Sequence, residues 1–539
     1  MSSRLADTPR HWLLISSDAP LLRFFLAAVS GALLTLSFRG NHPSIFSFFC
    51  IVLLLVSIFH ARVWVAFFCG FLHGFVFVLT CVAWIADVLS VHGGMSNAAG
   101  WGVLILIASV WGASMGIFAW LVWRLSLRSF ELALVGAPFL WISTEVLRAY
   151  LPEISFPWGL LGYPAAGNPA LVQLTTVTGI YGLSFLVVCF NALIVWILAR
   201  PTRKSITIIS GVTILLIVAM WIGPRFVPHA EAHHFARVVQ PNFPEVNQYL
   251  GNWYDTHQTD LAELERLSLR PSANSPDLLV WPEAPAPFSF QDPHFGPFIS
   301  NLAQQFRHPV IVGVIDWKPI LQGDTHVART GLVPYNSAAM LNEAGQHTFL
   351  YDKIHLVPFG EYEPFPLIHQ VVTSVSEEVG GFRKGKQRNV GHFSNGNTFS
   401  TFICYEAIYP GEIREFARNG AQLLINISND GWFGKSEAAE QHLRMARVRA
   451  VENRRWLIRD TNSGITASID PYGNVTRVMR RDVRDSADVP YDFRTDTTVY
   501  TRVGDFFAWM CVGVSAILGI ATFRKVNGAG SSKASTKQA

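Results

Sequence analysis

The chain has 539 residues, of which 50% are hydrophobic and 15% charged, with a mean hydropathy of +0.30. Soluble proteins average about 25% charged residues, so the composition excludes a wholly water-exposed protein. The net charge of +4 is too small to argue for a nucleic-acid partner, and the 13% aromatic content suits lipid-facing helices and interfacial belts.

Apolar stretches succeed one another at 20–38, 43–60, 63–86, 100–123, 129–149, 178–199 and 205–222, and an eighth stands at 506–523. Each approaches the roughly 20 residues needed to cross a bilayer at about 1.5 Å per residue. Eight transmembrane helices are expected: seven within a membrane domain at 1–225 and one at 504–525, followed by a flexible tail at 526–539. The first stretch lacks a clear small-x-small cleavage site and six more spans follow it, so it reads as a span and not a signal peptide. Arg4, Arg10, Arg62, Arg124, Arg128, Arg200, Arg203 and Lys204 fall on one side of this arrangement, and Arg524, Lys525, Lys533 and Lys537 fall there too. The positive-inside rule then expects both termini in the cytoplasm and 226–503 outside. Glu145 and Arg148 lie inside the fifth stretch at i and i+3, where a mutual ion pair is the simplest account.

Residues 226–503 have globular composition and alternate short apolar runs with polar helical stretches. Strands are expected at 234–239, 277–281, 309–316, 398–404, 422–427, 456–460 and 464–470, helices at 255–269, 411–418 and 441–453, and a hairpin over 336–351 turning at 342–345. The alternation predicts a layered α/β domain. Of six cysteines, only Cys404 falls in this domain. A lone thiol in an oxidising compartment has no local disulfide partner, and its retention suggests chemistry.

Three segments share one design, an apolar strand with a reactive residue at its C-terminal end: DLLVWPEAP with Glu283, HTFLYDKIHLVPFGEYEPF with Lys353, and STFICYEAIYP with Cys404. Strand C-terminal ends are where sites gather in layered α/β domains. A thiol becomes nucleophilic only on losing its proton. Glu283 can accept that proton, and Lys353 offers a fixed positive charge to the thiolate and to an oxyanion. His355 and His442 have no third ligand at a recognisable spacing, so no metal is expected, and nothing suggests a cofactor.

These segments resemble the signature of the carbon-nitrogen hydrolase (nitrilase) superfamily, which uses a Glu-Lys-Cys set on a four-layer αββα sandwich. Seven spans, an external domain and an eighth span resemble, more narrowly, the bacterial apolipoprotein N-acyltransferase family. So do VQPNFP at 239–244, YDKIHLVPFGEYEPF at 351–365, ICYE at 403–406, NISNDGWFG at 426–434, QHLRMARVRAVENRR at 441–455 and TRVGDFFAW at 501–509. The resemblance implies Cys404 as nucleophile, Glu283 as general base, Lys353 as oxyanion stabiliser and Glu361 as a further acid, with Tyr405 and Glu406 matching the pattern. Glu361 could instead only pair with Lys353, and Glu406 could be a carboxylate at a helix N-terminus. Asn429 and Asp430 read first as a turn, and Trp432 and Phe433 as core or as a pocket wall touching acyl chains. Where the family often carries a lid tryptophan this chain has Tyr249, with Trp253 slightly later.

The implied reaction moves a fatty acyl chain from a phospholipid to the α-amine of a diacylglyceryl-cysteine through a Cys404 thioester. The partners implied are the phospholipid donor, the apolipoprotein acceptor and the bilayer, with the enzyme a monomer in a bacterial inner membrane. Two other functions fit the residues alone: a membrane-anchored amidase using water, and a non-catalytic transporter or scaffold.

Overall fold

The computed structural model describes residues 19–40, 45–91, 94–151, 155–244, 253–283, 288–319, 331–358, 360–362 and 381–523, with 253–257 described by backbone alone. Among the described residues, six helices are long and apolar enough to cross a membrane: Pro20–Ser37, Val63–Cys81, Asn97–Ser126, Phe130–Tyr150, Ile180–Ala199 and Arg203–Trp221. Of the two remaining expected spans, 43–60 comes out shorter, as Ile45–Ile58, whereas 506–523 is a helix over Phe506–Phe523. The first of these is a 3-10 turn, Ile45–Phe48, followed by a separate helix, Val52–Ile58. Asn191 explains the break: its Nδ2 donates to Ser47 O at 2.9 Å, and its Oδ1 accepts from Ile51 N at 2.9 Å. The side-chain amide thus satisfies backbone groups that a continuous helix would pair internally, as lipid-embedded backbone requires. The expected span at 63–86 likewise ends at Cys81, and a second short helix, Trp84–Val91, begins after it.

The helices Val63–Cys81 and Asn97–Ser126 meet closely because Gly70 presents no side chain. A Cβ there would lie 2.2 Å from Met115 O. Small residues at such crossings are what van der Waals packing in lipid demands. No expected element covers 157–177, and the structure buries most of it as a platform beneath the α/β domain. Trp158, Leu160, Leu161, Tyr163, Ala165 and Ala166 are each no more than 1% exposed.

Among the described residues, the α/β domain holds two six-stranded sheets. One has the order β12-β1-β2-β3-β4-β5 and the other β11-β10-β9-β8-β7-β6. The strands are β1 (His234–Gln240), β2 (Leu278–Val280), β3 (Val310–Pro319), β4 (Leu332–Leu341), β5 (His347–Asp352), β6 (Gly391–His392), β7 (Thr398–Ile403), β8 (Leu423–Ser428), β9 (Trp456–Thr461), β10 (Ala467–Ile469), β11 (Val475–Val478) and β12 (Asp485–Tyr491). β1, β2 and β3 run parallel, as do β7, β8 and β9. The expected hairpin forms between β4 and β5.

Alternation along the strands divides the first sheet's side chains between two cores. Val239, Leu279, Val310, Val312 and Val314 pack with Leu264, Leu267, Ile299 and Leu302 of the helices Trp253–Ser268 and Phe295–Phe306. Ala236, Val238, Leu278, Val280 and Ile311 share the other core with Phe399, Phe402, Leu424 and Ile458 of the second sheet. That core extends to Ile413, Phe416, Leu443 and Ala446 of the helices Pro410–Arg418 and Ala438–Asn453. The layers are therefore helix, sheet, sheet and helix.

The helix Ala438–Asn453 is polar yet buried nearly all round, because the platform and the start of the helix Ile180–Ala199 supply its partners. Gln441 Oε1 accepts from Trp158 Nε1 at 2.6 Å, Arg447 Nη1 donates to Ala166 O at 3.1 Å, and Glu452 Oε1 accepts from Ile180 N at 2.9 Å. Glu145 Oε1 accepts from Trp141 Nε1 at 3.0 Å and Leu161 N at 2.8 Å and stands 3.9 Å from Arg148 Nη2, so the expected pair also ties the platform to its helix.

Candidate active site

Glu283 lies three residues beyond β2, Lys353 directly follows β5, and Cys404 directly follows β7. The fold thus collects the three strand ends in one place. Lys353 is 1% exposed, and its Nζ stands 3.0 Å from Glu283 Oε1 and 3.0 Å from Glu361 Oε1. Asn336 of β4 completes the arrangement, its Nδ2 donating to Glu283 Oε1 at 2.8 Å and to Glu361 Oε1 at 2.7 Å. Two nitrogens therefore bridge the same two carboxylate oxygens. The outer oxygens are held as well: Glu283 Oε2 accepts from Asn429 N at 2.9 Å, and Glu361 Oε2 from Val357 N at 2.7 Å. Sequence reasoning missed Asn336, and the only available signal was a polar residue within a mostly apolar strand.

Burial works to depress the Lys353 ammonium, but the Glu283 and Glu361 carboxylates outweigh it and hold its pKa above the ordinary value. Lys353 is thus a permanent cation. The buried Cys404 thiol feels the same charges. Burial and then Glu283 raise its pKa, and the opposing pull of Lys353 does not cancel them. The resting group is a thiol, whose proton must leave as attack proceeds.

Cys404 adopts φ +48°, a left-handed conformation that costs a non-glycine residue of order 1–3 kcal/mol. The surroundings impose it. Glu406, two residues on, accepts from Ile403 N at 2.7 Å through Oε2, and from Tyr351 Oη at 2.7 Å, Ile354 N at 2.7 Å and His355 N at 3.1 Å through Oε1. With four donors on a buried carboxylate, Glu406 ties the turn after β7 to the turn after β5. It positions Cys404 relative to Lys353.

Behind Cys404 lies a second buried polar group. His442 Nε2 donates to Cys404 O at 3.0 Å. His442 Nδ1 lies 3.0 Å from Asp430 Oδ1, and Arg459 Nη2 stands 2.6 Å from Asp430 Oδ2 and 3.2 Å from that Nδ1. All three side chains are wholly buried. Burial raises the Asp430 carboxyl, but Arg459 and His442 overcome this and hold it well below the usual carboxylate range. Burial and Arg459 push His442 below its ordinary value. Gly464 makes room for the group, since a Cβ there would lie 2.3 Å from Asp430 Oδ2. Asp430 is thus no mere turn residue, and Arg459 in the middle of β9 was the overlooked signal.

Tyr405 faces the membrane half, its ring stacked on Phe156 at 6.1 Å. Tyr409 Oη donates to Ser155 O at 2.8 Å. Phe433 meets Trp84 at 4.8 Å and Trp158 at 5.7 Å. Trp432 lies with Phe433 on the turn Asp430–Phe433 and is partly exposed. Tyr249 falls outside the described residues, as does the side chain of Trp253. His355 Nε2 lies 3.2 Å from Glu412 Oε2.

Two family models match the chain: the apolipoprotein N-acyltransferase N-terminal domain over residues 30–193, and carbon-nitrogen hydrolase over residues 236–485. A Geobacter metallireducens protein named apolipoprotein N-acyltransferase is 33% identical over 94% of this chain and 96% of its own. A Chlorobaculum tepidum protein of the same name is 28% identical over 93% of this chain and 97% of its own. Among solved structures, a Saccharomyces cerevisiae member of the nitrilase superfamily matches 48% of this chain and 90% of its own, with 19% identity and a TM-score of 0.35. The chain belongs to the apolipoprotein N-acyltransferase family, with the carbon-nitrogen hydrolase domain carrying the candidate site.

Proposed function

We propose that this protein transfers a fatty acyl chain from a phospholipid to the α-amine of an apolipoprotein's diacylglyceryl-cysteine, with Cys404, Glu283 and Lys353 as its catalytic residues. The supporting observation is the bridge from Lys353 to Glu283 and Glu361 beside a buried thiol that feels both Lys353 and Glu283. In the first half-reaction, Glu283 takes the thiol proton as sulfur attacks the ester carbonyl, and Lys353 stabilises the oxyanion. The C–O bond breaks, the lysophospholipid oxygen takes the proton from Glu283, and a thioester remains. In the second, the neutral amine attacks the thioester, Glu283 accepts its proton, and the thiolate leaves and regains that proton as the amide forms.

Glu361 holds Lys353 from the other side, and Glu406 and Tyr405 seat the nucleophile. Trp432 and Phe433, with Tyr249 and Trp253, serve acyl-chain contact and closure. Residues 1–225 form a seven-helix membrane domain, 226–503 a periplasmic catalytic domain and 504–525 an eighth span, with residues 526–539 a cytoplasmic tail. Both termini then lie in the cytoplasm of an inner-membrane monomer. Family membership favours transfer over a water-using amidase or a scaffold, and the aromatic contacts between the site and the platform suit substrates arriving from lipid, where each buried CH₂ contributes about 0.8 kcal/mol.

The test is reconstitution in phospholipid vesicles with a synthetic diacylglyceryl-cysteine peptide. N-acylated peptide and lysophospholipid should appear in equal amounts. Free fatty acid with no acylated peptide would refute transfer.

A further inference from the structure

We propose that His442 is a positioning residue for the nucleophile, fixing the Cys404–Tyr405 peptide by its carbonyl and tying that peptide to the membrane platform through Trp158. The inference rests on Cys404 being the nucleophile.

Three observations meet at this ring. First, Cys404 carries φ +48°, a conformation that a non-glycine residue keeps only when its surroundings over-determine it. The Nε2–H of His442 holds Cys404 O at 3.0 Å. A peptide unit is planar, with its C=O and N–H pointing in opposite directions. Holding Cys404 O therefore fixes the direction of Tyr405 N–H, the backbone donor adjacent to the sulfur-bearing residue. Second, the other face of the ring system is anchored. Nδ1, which carries no proton when Nε2 is the donor, accepts from Arg459 Nη2 at 3.2 Å, and Asp430 in turn accepts from that Nη2 at 2.6 Å and from Ser428 Oγ at 2.9 Å. A histidine packed with this many fixed partners cannot rotate without breaking buried polar contacts, each expensive in a dry interior. Third, the ring touches the membrane half. Trp158 lies 5.7 Å away at 33°, and Phe433 5.7 Å away edge-on. Trp158 Nε1 also donates to Gln441 Oε1 at 2.6 Å, on the residue next to His442.

His442 thus stands between an aromatic wall contributed in part by the platform and the backbone of the nucleophile. The arrangement makes the seat of Cys404 complete only where the catalytic domain is docked on the helices. That gives the enzyme a physical reason to be one chain and not a soluble catalyst with an anchor. His442 does not act on a proton of the substrate. Its part is to place the sulfur and the adjoining N–H for attack, and small misplacements of reacting groups cost rates steeply.

The experiment compares wild type, His442→Gln, His442→Phe and Trp158→Leu in the full-length protein. Two readouts are taken: single-turnover formation of the acyl-enzyme from labelled phospholipid, and alkylation of Cys404 by iodoacetamide, which needs the sulfur to lose its proton but no aligned ester. Thermal unfolding is followed in each variant. His442→Phe should slow acylation by about a hundredfold while changing alkylation by less than about threefold. His442→Gln keeps an N–H donor and should recover at least about tenfold of the loss. Trp158→Leu should slow acylation by roughly tenfold. Acylation of His442→Phe at the wild-type rate overturns the proposal. So does an equal loss in both readouts, or an equal loss in the Gln and Phe variants. Failure of the wild type itself to form a thioester would instead overturn the assignment of Cys404.

Discussion

Asn336 offers the sharpest perturbation of the site, because one side-chain amide serves both carboxylates. Its Nδ2 donates to Glu283 at 2.8 Å and to Glu361 at 2.7 Å. A hydrogen bond to a charged partner contributes about 1.5–3 kcal/mol, so removing both puts about 3–6 kcal/mol at stake. Lys353 still contacts both acids at 3.0 Å, and relaxation toward it recovers part of the loss. If about half is recovered, Asn336→Leu costs roughly 1.5–3 kcal/mol, or roughly 13- to 160-fold in the rate of acylation. Asn336→Asp matches the shape but replaces the donor by a third acid. Like charges about 4 Å apart repel by about 4 kcal/mol at an effective dielectric near 20, so this variant should be at least as slow as Asn336→Leu. The assay is single-turnover acyl-enzyme formation from labelled phospholipid, with thermal unfolding in parallel. Asn336→Asp within about threefold of wild type would refute the idea that the amide holds the two carboxylates in register.

Glu406→Gln should lower stability and acylation together. A carboxylate that accepts from Ile403, Tyr351, Ile354 and His355 would become an amide with only one accepting oxygen. The expected cost is about 1–3 kcal/mol, read as a lowered midpoint of thermal unfolding. Asp430 should give the folded protein an acid-sensitive contribution. Burial opposes its ionisation, but Arg459 and His442 dominate and depress its pKa. A depressed carboxylate stabilises fully above its unfolded value near pH 4 and loses that contribution as pH falls toward the folded value. Asp430→Asn should therefore be less stable at neutral pH, by about 3–5 kcal/mol for the Arg459 charge left unpaired, and should lose less stability below about pH 4 than wild type. Equal acid slopes in wild type and variant would contradict this.

The parts legible in the sequence are those carried by local pattern. Glu283, Lys353 and Cys404 each follow an apolar run, and strand ends converge by topology. The hairpin over 336–351 announced itself through the Asn342-Glu343-Ala344-Gly345 turn. What stayed hidden depends on contacts between distant segments. Asp430, His442 and Arg459 come from a turn, a helix and a strand, and no spacing reveals that they share one pocket. The break within 43–60 depends on Asn191, more than a hundred residues away in sequence, so hydropathy alone showed a continuous span. Residues 157–177 carry no periodic signal, because their burial comes from being pressed between the helices and the α/β domain. Glu406 was ambiguous for the same reason: only the fold shows that its partners are Tyr351, Ile354 and His355.

The most direct measurement is intact-protein mass spectrometry of the purified full-length enzyme after incubation with phospholipid and no amine acceptor. The account predicts one added acyl group, mapped to Cys404, released by hydroxylamine as a thioester and absent from Cys404→Ala. An acyl group on another residue, or acylation that survives Cys404→Ala, would contradict it.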